Sequence, residues 1–336
     1  MQKIKFAIVG CGHIGIRHAE MVQRNQFCEL VALVDIKNEL HASLLQLFKV
    51  DVFSSLDQYL SQEKLADIIV VATPNGTHAT LAIEALAAGC HVVIEKPMAL
   101  YSSDCKKIID IALLHNKHIF CVMQNRYSPP SVWLKSIINA NILGDIYLVQ
   151  INCFWNRDER YYKPDGWKGD KTLDGGTLYT QFSHFIDMMY WLFGDIKDIK
   201  SFFKDINHQK LTDFEDTGLV NFSFVNGGIG TLNYTTSVYN KNLESSMTII
   251  AEHGTIKVGG QYMEEVIYCD IKNYQMPELL PTNPANDYGH YKGSASNHHY
   301  IIENIVDVIK GTDTIHTPAV EGMKVVEIIE KIYVSC

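Results

Sequence analysis

Short runs of wholly apolar residues alternate with helical periodicity through the first third of the chain. Residues 4–9 (IKFAIV) form such a run, closed by Gly10, and predict a strand buried on both faces. Further strands are predicted at 30–35, 51–53, 67–72, 91–94 and 119–123, with helices from Gly15 toward Gln23 and at 39–48, 56–60, 77–88 and 104–114. Strict alternation of strand and helix predicts an α/β unit: a doubly wound parallel sheet of the Rossmann type, with helices on both faces.

The rhythm changes after residue 123. Pro129-Pro130 opens a helix, 146–154 reads as a long strand, 161–176 is irregular and rich in aromatics and glycine, and 178–193 is helical. Strands follow at 198–207, 216–225, 228–237, 246–251, 255–258 and 266–270, joined by short turns such as Asn226-Gly227. That spacing predicts a large, mostly antiparallel open sheet. Residues 274–296 read as an extended loop, and helices at 297–310 and 320–334 close the chain. The expected organisation is a Rossmann domain over 1–123 and an α+β domain over 124–336, with the closing helices free to pack back on the first.

Composition narrows the function classes. Hydrophobic residues make up 47% and charged residues 20%, the balance of a soluble globular protein. A net charge of -9 supplies no basic surplus for phosphates, which argues against a nucleic-acid partner. The eight cysteines are scattered without a Cys-x-x-Cys pair, as free thiols in a reducing compartment are. No apolar stretch has signal-peptide form and none is long enough to span a bilayer, so a cytoplasmic location and no membrane partner are expected.

Chemistry first enters at Gly10-Cys-Gly12-His13-Ile14-Gly15, which sits between a predicted strand and a predicted helix. A dinucleotide fingerprint needs that context: Gly10 for the tight turn, Gly12 for backbone approach to a pyrophosphate, Gly15 for close helix packing. The helix start, with His13 and Ile14, offers N–H groups and partial positive charge to phosphates. Asp35, twenty positions after Gly15 and at the end of the second strand, suits a ribose 2′-hydroxyl and would repel a 2′-phosphate. NAD is therefore expected rather than NADP.

Two further segments lie beyond strand ends, where open α/β sheets bind ligands: Ala72-Thr73-Pro74-Asn75-Gly76-Thr77-His78 and Glu95-Lys96-Pro97. Partial burial lowers a lysine's pKa toward neutrality, which suits Lys96 to proton transfer, and the proline makes a cis bond possible. With the later His184-x-x-Asp187, these segments resemble the glucose–fructose oxidoreductase/inositol dehydrogenase (Gfo/Idh/MocA) family over nearly the whole chain. The resemblance implies that Lys96 is catalytic and near the nicotinamide, and that His184 from the second domain completes the site. Thr73, Pro74, Asn75, His78, Glu95 and Lys96 are the expected cofactor-side residues. The family usually carries an aspartate four residues before the histidine; here Thr180 stands there.

Longer stretches resemble a nucleotide-sugar branch of that family, the UDP-N-acetylglucosaminuronate 3-dehydrogenases of surface-polysaccharide synthesis. They are Gln124-Asn-Arg126, Phe154-Trp-Asn-Arg157, Tyr161-Tyr162, Gly166-Trp167-Lys168-Gly169, Glu215-Asp-Thr-Gly218 and Lys241-Asn-Leu-Glu-Ser-Ser. A UDP-uronate needs cations for its carboxylate and pyrophosphate and aromatic faces for its rings. Arg126, Arg157, Lys163, Lys168, Tyr161, Tyr162 and Trp167 supply those types; all of these but Lys163, with Thr180 and His184, make up the expected substrate set. The expected reaction is oxidation of a ring hydroxyl, C3 of the hexuronate, to a 3-keto sugar. An inositol or free-sugar dehydrogenase, a non-catalytic NAD-binding regulator and a glycosidase using transient oxidation are the rivals. The family implies a homo-oligomer, dimer or tetramer. No metal is expected: His298-His299 are adjacent, face different ways on a helix and have no third ligand at metal spacing, so they read as a surface or helix-start pair.

Overall fold

The computed structural model describes residues 2–289 and 291–336. The chain forms two compact units, Met1–Val122 with His298–Val326, and Met123–Asn297 with Glu327–Cys336.

In the first unit, strands and helices alternate: β1 (Ile4–Val9), α1 (His13–Arg24), β2 (Cys28–Val34), α2 (His41–Phe48), β3 (Asp51–Phe53), α3 (Leu56–Leu60), β4 (Ile68–Val71), α4 (His78–Ala87), β5 (His91–Ile94), α5 (Ser102–Leu114) and β6 (Ile119–Cys121). The sheet order is β3-β2-β1-β4-β5-β6, with every pairing parallel. Ile68, Ile69, Val70 and Val71 of β4 are all fully buried, because helices cover both faces and leave no solvent side to alternate with. Each such side chain contributes roughly 1.5–3 kcal/mol by leaving water. The strand order reverses between β1 and β4, and at that switch point the carboxyl ends of the strands open a crevice.

The second unit contains α6 (Pro129–Asn139), β7 (Ile146–Phe154), α7 (Thr177–Thr180), α8 (Ser183–Phe193), β8 (Ile196–Lys204), β9 (Thr217–Phe224), β10 (Ile229–Thr235), β11 (Glu244–Ala251), β12 (Gly254–Gly259) and β13 (Glu265–Ile271). Its seven-stranded sheet runs β13-β12-β11-β7-β10-β9-β8. Two antiparallel meanders, β8-β9-β10 and β11-β12-β13, flank β7, which pairs antiparallel with β11 but parallel with β10. Short turns specify only neighbouring strands, so the parallel pair at the centre is invisible to local pattern. The buried face carries Val149, Ile151, Val220, Leu232, Met247 and Ile249.

Three local differences from the sequence expectation have physical reasons. The helix expected over 178–193 is broken at Gln181-Phe182 into α7 and α8, which turns the Phe182 ring into the core against Trp155 and Tyr234. The loop expected over 274–296 holds a two-stranded ribbon, β14 (Ala285–Asp287) and β15 (Lys292–Ala295). Of the histidine pair, His298 does start a helix, α9 (His298–Ile309), but it is buried rather than on the surface. A last helix, α10 (Ala319–Tyr333), closes the chain. Among the described residues no helix is long and apolar enough to cross a membrane.

Candidate active site

The glycine loop links β1 to α1 at the switch point. Gly10 has φ +88°, and a Cβ there would lie 2.6 Å from the Ala72 carbonyl oxygen. A Cβ on Gly15 would lie 1.8 Å from the Gly10 carbonyl oxygen, so α1 packs against its own approach loop only through glycine. Gly12, in contrast, has nothing within 4 Å of where its Cβ would be. No side chain caps the start of α1, where His13 is exposed and Ile14 half-buried. Asp35 follows β2; its Oδ2 accepts the Cys11 N–H at 2.7 Å and its Oδ1 the Lys37 N–H at 2.8 Å. Each carboxylate oxygen keeps lone-pair capacity for a further donor. Open space over Gly12, an uncapped helix start and an acid at the neighbouring strand end fit a dinucleotide with a free ribose 2′-hydroxyl.

Two segments flank that crevice. After β4, Thr73 and Thr77 share a hydroxyl contact of 2.7 Å, Pro74 is half-buried and Asn75 is buried. After β5, the Lys96–Pro97 bond is cis. His78 lies buried beneath both segments: its Nδ1 is 2.7 Å from the Pro97 carbonyl oxygen and its Nε2 is 2.9 Å from that of Thr73. Both partners are acceptors, so a neutral ring donates to one of them only. Burial lowers the His78 pKa, while the two carbonyls and Glu95 pull it upward. The ring thus ties the Thr73 segment to the Lys96 corner. Glu95 is buried below that corner, its Oε2 accepting the Lys96 N–H at 3.2 Å. Lys96 itself is half-buried.

In the second unit α8 carries His184, buried, with its Nε2 3.2 Å from Gln124 Nε2. One turn on, Asp187 receives Arg126 Nε at 2.9 Å and Nη2 as well, and the guanidinium lies over Trp191 at 5.3 Å from the ring centroid. Arg126 is therefore committed to holding α8, with both partners buried. Thr180 donates its hydroxyl to the Asp174 carboxylate. Burial raises the Asp174 carboxyl to about 6 against the Thr180, Gly169 and Gly176 donors. A carboxyl thus meets the Thr180 side chain after all, supplied by a residue six positions earlier that the motif comparison passes over.

Arg157 stands at the centre of a second cluster. It is 2% exposed, and among the described residues no carboxylate pairs with it. Its donors go to Gln181 Oε1 at 2.8 Å, the Asn156 carbonyl at 2.6 Å, Asn242 Oδ1 at 3.1 Å and the Lys292 carbonyl at 3.3 Å. The rings of Trp155, Tyr161 and Tyr291 surround the guanidinium at 4.7, 5.0 and 5.0 Å. Burial lowers its pKa, yet arginine stays charged at any physiological pH. Lys168 joins from the side, 3.8 Å from the Tyr161 ring centroid and 3.1 Å from the Tyr291 hydroxyl. Tyr162 packs edge-on against Tyr161 and His208. Trp167 is half-buried and makes none of these ring contacts among the described residues. Gln181 and Tyr291 are the members that motif reading did not single out, and only their partner identifies them; Asn242 lies in the Lys241-Asn-Leu-Glu-Ser-Ser stretch.

A family model described as an oxidoreductase family with an NAD-binding Rossmann fold matches residues 4–122, and a GFO/IDH/MocA C-terminal domain model matches residues 132–257. Among solved structures, the WlbA dehydrogenase of Chromobacterium violaceum, in complex with NADH and UDP-GlcNAcA, is 31% identical with a TM-score of 0.89. That alignment covers 100% of this chain and 94% of the other. An uncharacterized oxidoreductase of Streptococcus pneumoniae is 28% identical over 197 residues, 58% of this chain. An inositol 2-dehydrogenase of Salmonella typhimurium is 28% identical over 204 residues, 60% of this chain. The matches span 52% and 58% of those two relatives' own lengths, so the chain spans little more than half of the curated relatives it matches. With both family models matched along its length, this chain belongs to the GFO/IDH/MocA oxidoreductase family, and residues 4–122 are its NAD-binding Rossmann domain.

Proposed function

We propose that the chain is an NAD-dependent dehydrogenase of a nucleotide sugar, oxidising the C3 hydroxyl of UDP-N-acetylglucosaminuronate to a 3-keto sugar for surface-glycan synthesis. The observation that carries this reading is the full-length likeness to a WlbA dehydrogenase with NADH and UDP-GlcNAcA bound. Bound NAD would take up the hydride from the sugar carbon. In the first unit, Lys96 accepts the hydroxyl proton from its corner above Glu95, the step that needs a base of tuned pKa. In the second unit, His184 is oriented by Gln124 and serves the sugar's hydroxyl groups. Arg157 and Lys168, with Tyr161 and Tyr291, supply cation and ring faces suited to an anionic nucleotide sugar. Arg126 acts one step back, through Asp187, by fixing the helix that bears His184.

Nicotinamide reduction tests the reading: the protein is given NAD with UDP-N-acetylglucosaminuronate, UDP-N-acetylglucosamine or inositol, and a parallel sample with a 2-oxoacid reveals turnover hidden by retained cofactor. Reduction with the uronate is expected. Reduction with inositol alone selects the second reading, which the inositol 2-dehydrogenase likeness favours. We place the reaction in the cytoplasm, in keeping with eight cysteines none of which forms a disulfide. A homo-oligomer is proposed on the outward sheet face, where Ile250 and Ile229 flank Leu148 across three strands and Phe202 pairs with Leu219. Light scattering reads the assembly directly.

A further inference from the structure

Beneath the Lys96 corner the first unit contains a buried polar cluster. His18 from the buried face of α1, Glu95 at the end of β5 and His298 at the start of α9 converge there, with side chains 0%, 9% and 1% exposed. His18 Nε2 lies 2.8 Å from Glu95 Oε1, and His298 Nε2 lies 3.7 Å from the same oxygen. All three ligand atoms fall within 4.8 Å of one another. Neither ring nitrogen of His298 has a hydrogen-bond partner, although the side chain is buried and its Nε2 points at Glu95. Leaving such a group unsatisfied is costly, and native interiors rarely do so.

We propose that His18, Glu95 and His298 form a binding site for a divalent transition-metal ion of the zinc class. Two imidazoles and a carboxylate are a donor set that zinc takes, and bonds of about 2.0–2.1 Å put tetrahedral donor atoms about 3.4 Å apart. The separations here bracket that value, so side-chain adjustments of a few tenths of an ångström to about one suffice. Ligation needs a carboxylate and unprotonated imidazole nitrogens, forms that a glutamate and two histidines can supply. His18 Nε2 donates to the Glu95 carboxylate, which only accepts; on binding, that proton passes to Nδ1 or is released, and Nε2 takes the metal. Three protein donors leave one position to water. Glu95 Oε2 continues to accept the Lys96 N–H, so the ion joins α1, β5 and α9 directly behind that corner. Its role is structural: it fixes the first helix, the fifth strand and the helix that returns to this unit.

The test uses the whole protein, produced in zinc-supplemented medium and compared with a chelator-dialysed sample. Metal analysis is expected to give about one zinc per chain, a melting temperature lowered by several degrees after chelation and restored by zinc, and visible tetrahedral bands when cobalt replaces it. His298→Ala should lose the metal and the thermal response together. Should that variant fail to fold, His18→Gln and the wild-type melting comparison, which needs no variant, carry the same decision. The exposed pairs His316 with Asp313 and His253 with Glu252 can take up zinc loosely, and the variants separate them from the buried site. Wild-type protein with under about a tenth of an equivalent and unchanged melting overturns the proposal. So does a folded His298→Ala that keeps its zinc.

Discussion

Around Gly10 the first unit is shaped by backbone and absent side chains, whereas around Arg157 the second unit is shaped by side chains. The first cradle is closed by glycines whose missing Cβ atoms make room for Ala72 and for α1, and every part of it lies within one strand–loop–helix step of the chain or at the next strand end. The second is assembled from residues 155–168, 181, 242 and 291–292, which come together only when the sheet and its covering loops have folded. A backbone cradle fixes position and serves one cofactor chemistry. A side-chain cluster can be altered residue by residue, which is where substrate choice within a family is expected to reside.

Substitutions should separate the two regions and the chemistry proposed at Lys96. Lys96→Met is expected to lower turnover by about 10²- to 10⁴-fold, the usual contribution of a general base, with cofactor affinity kept. Steady-state rates and a nicotinamide-binding titration check both halves. Gly10→Ala forces a Cβ against the Ala72 carbonyl at φ +88° and should cost about 1–3 kcal/mol of stability together with most NAD affinity, read by denaturant unfolding and the same titration. Arg157→Lys keeps the charge but loses the planar fork. It should raise KM for the uronate about 10- to 100-fold with kcat changed little, whereas a purely structural arginine would move stability and leave KM alone.

The smallest effect is expected at Glu215. Glu215 is half-buried, accepts hydroxyl hydrogen bonds from Tyr234 and Tyr333 at 2.8 Å each, and desolvation of its carboxyl raises it from 4.5 to about 7. Its folded-state pKa lies above the unfolded one, so its contribution to stability is full below pH 4.5 and is lost as pH rises through about 7. Melting temperature should therefore fall over that window, and Glu215→Gln should flatten the fall.

Much of the first unit can be read before folding. A strand buried on both faces reads as a continuous apolar run, and the glycine spacing, Asp35 and Lys96 all sit at strand ends that the alternation itself locates. In the second unit the strands are readable from alternation, but their order is not. The parallel β7–β10 pair joins segments separated by two helices and two strands. Residue roles were harder still. Arg126 has the type of a substrate cation and is tied to Asp187, and Thr180 reads as a missing acid yet holds Asp174. Tyr291 lies in what pattern alone describes as loop, and His298, read as a surface or helix-start residue, is buried against Glu95. In each case the partner is distant in sequence or outside the motif, and type and spacing carry no information about it.

Isotope transfer addresses the central claim most directly. UDP-N-acetylglucosaminuronate deuterated at C3 is incubated with the protein and NAD, and the reduced nicotinamide is examined by mass. A C3 dehydrogenase delivers the deuterium to the nicotinamide and leaves a 3-keto sugar. Deuterium that remains on the sugar while the nicotinamide is reduced contradicts the assignment of C3, and no reduction at all contradicts the choice of substrate.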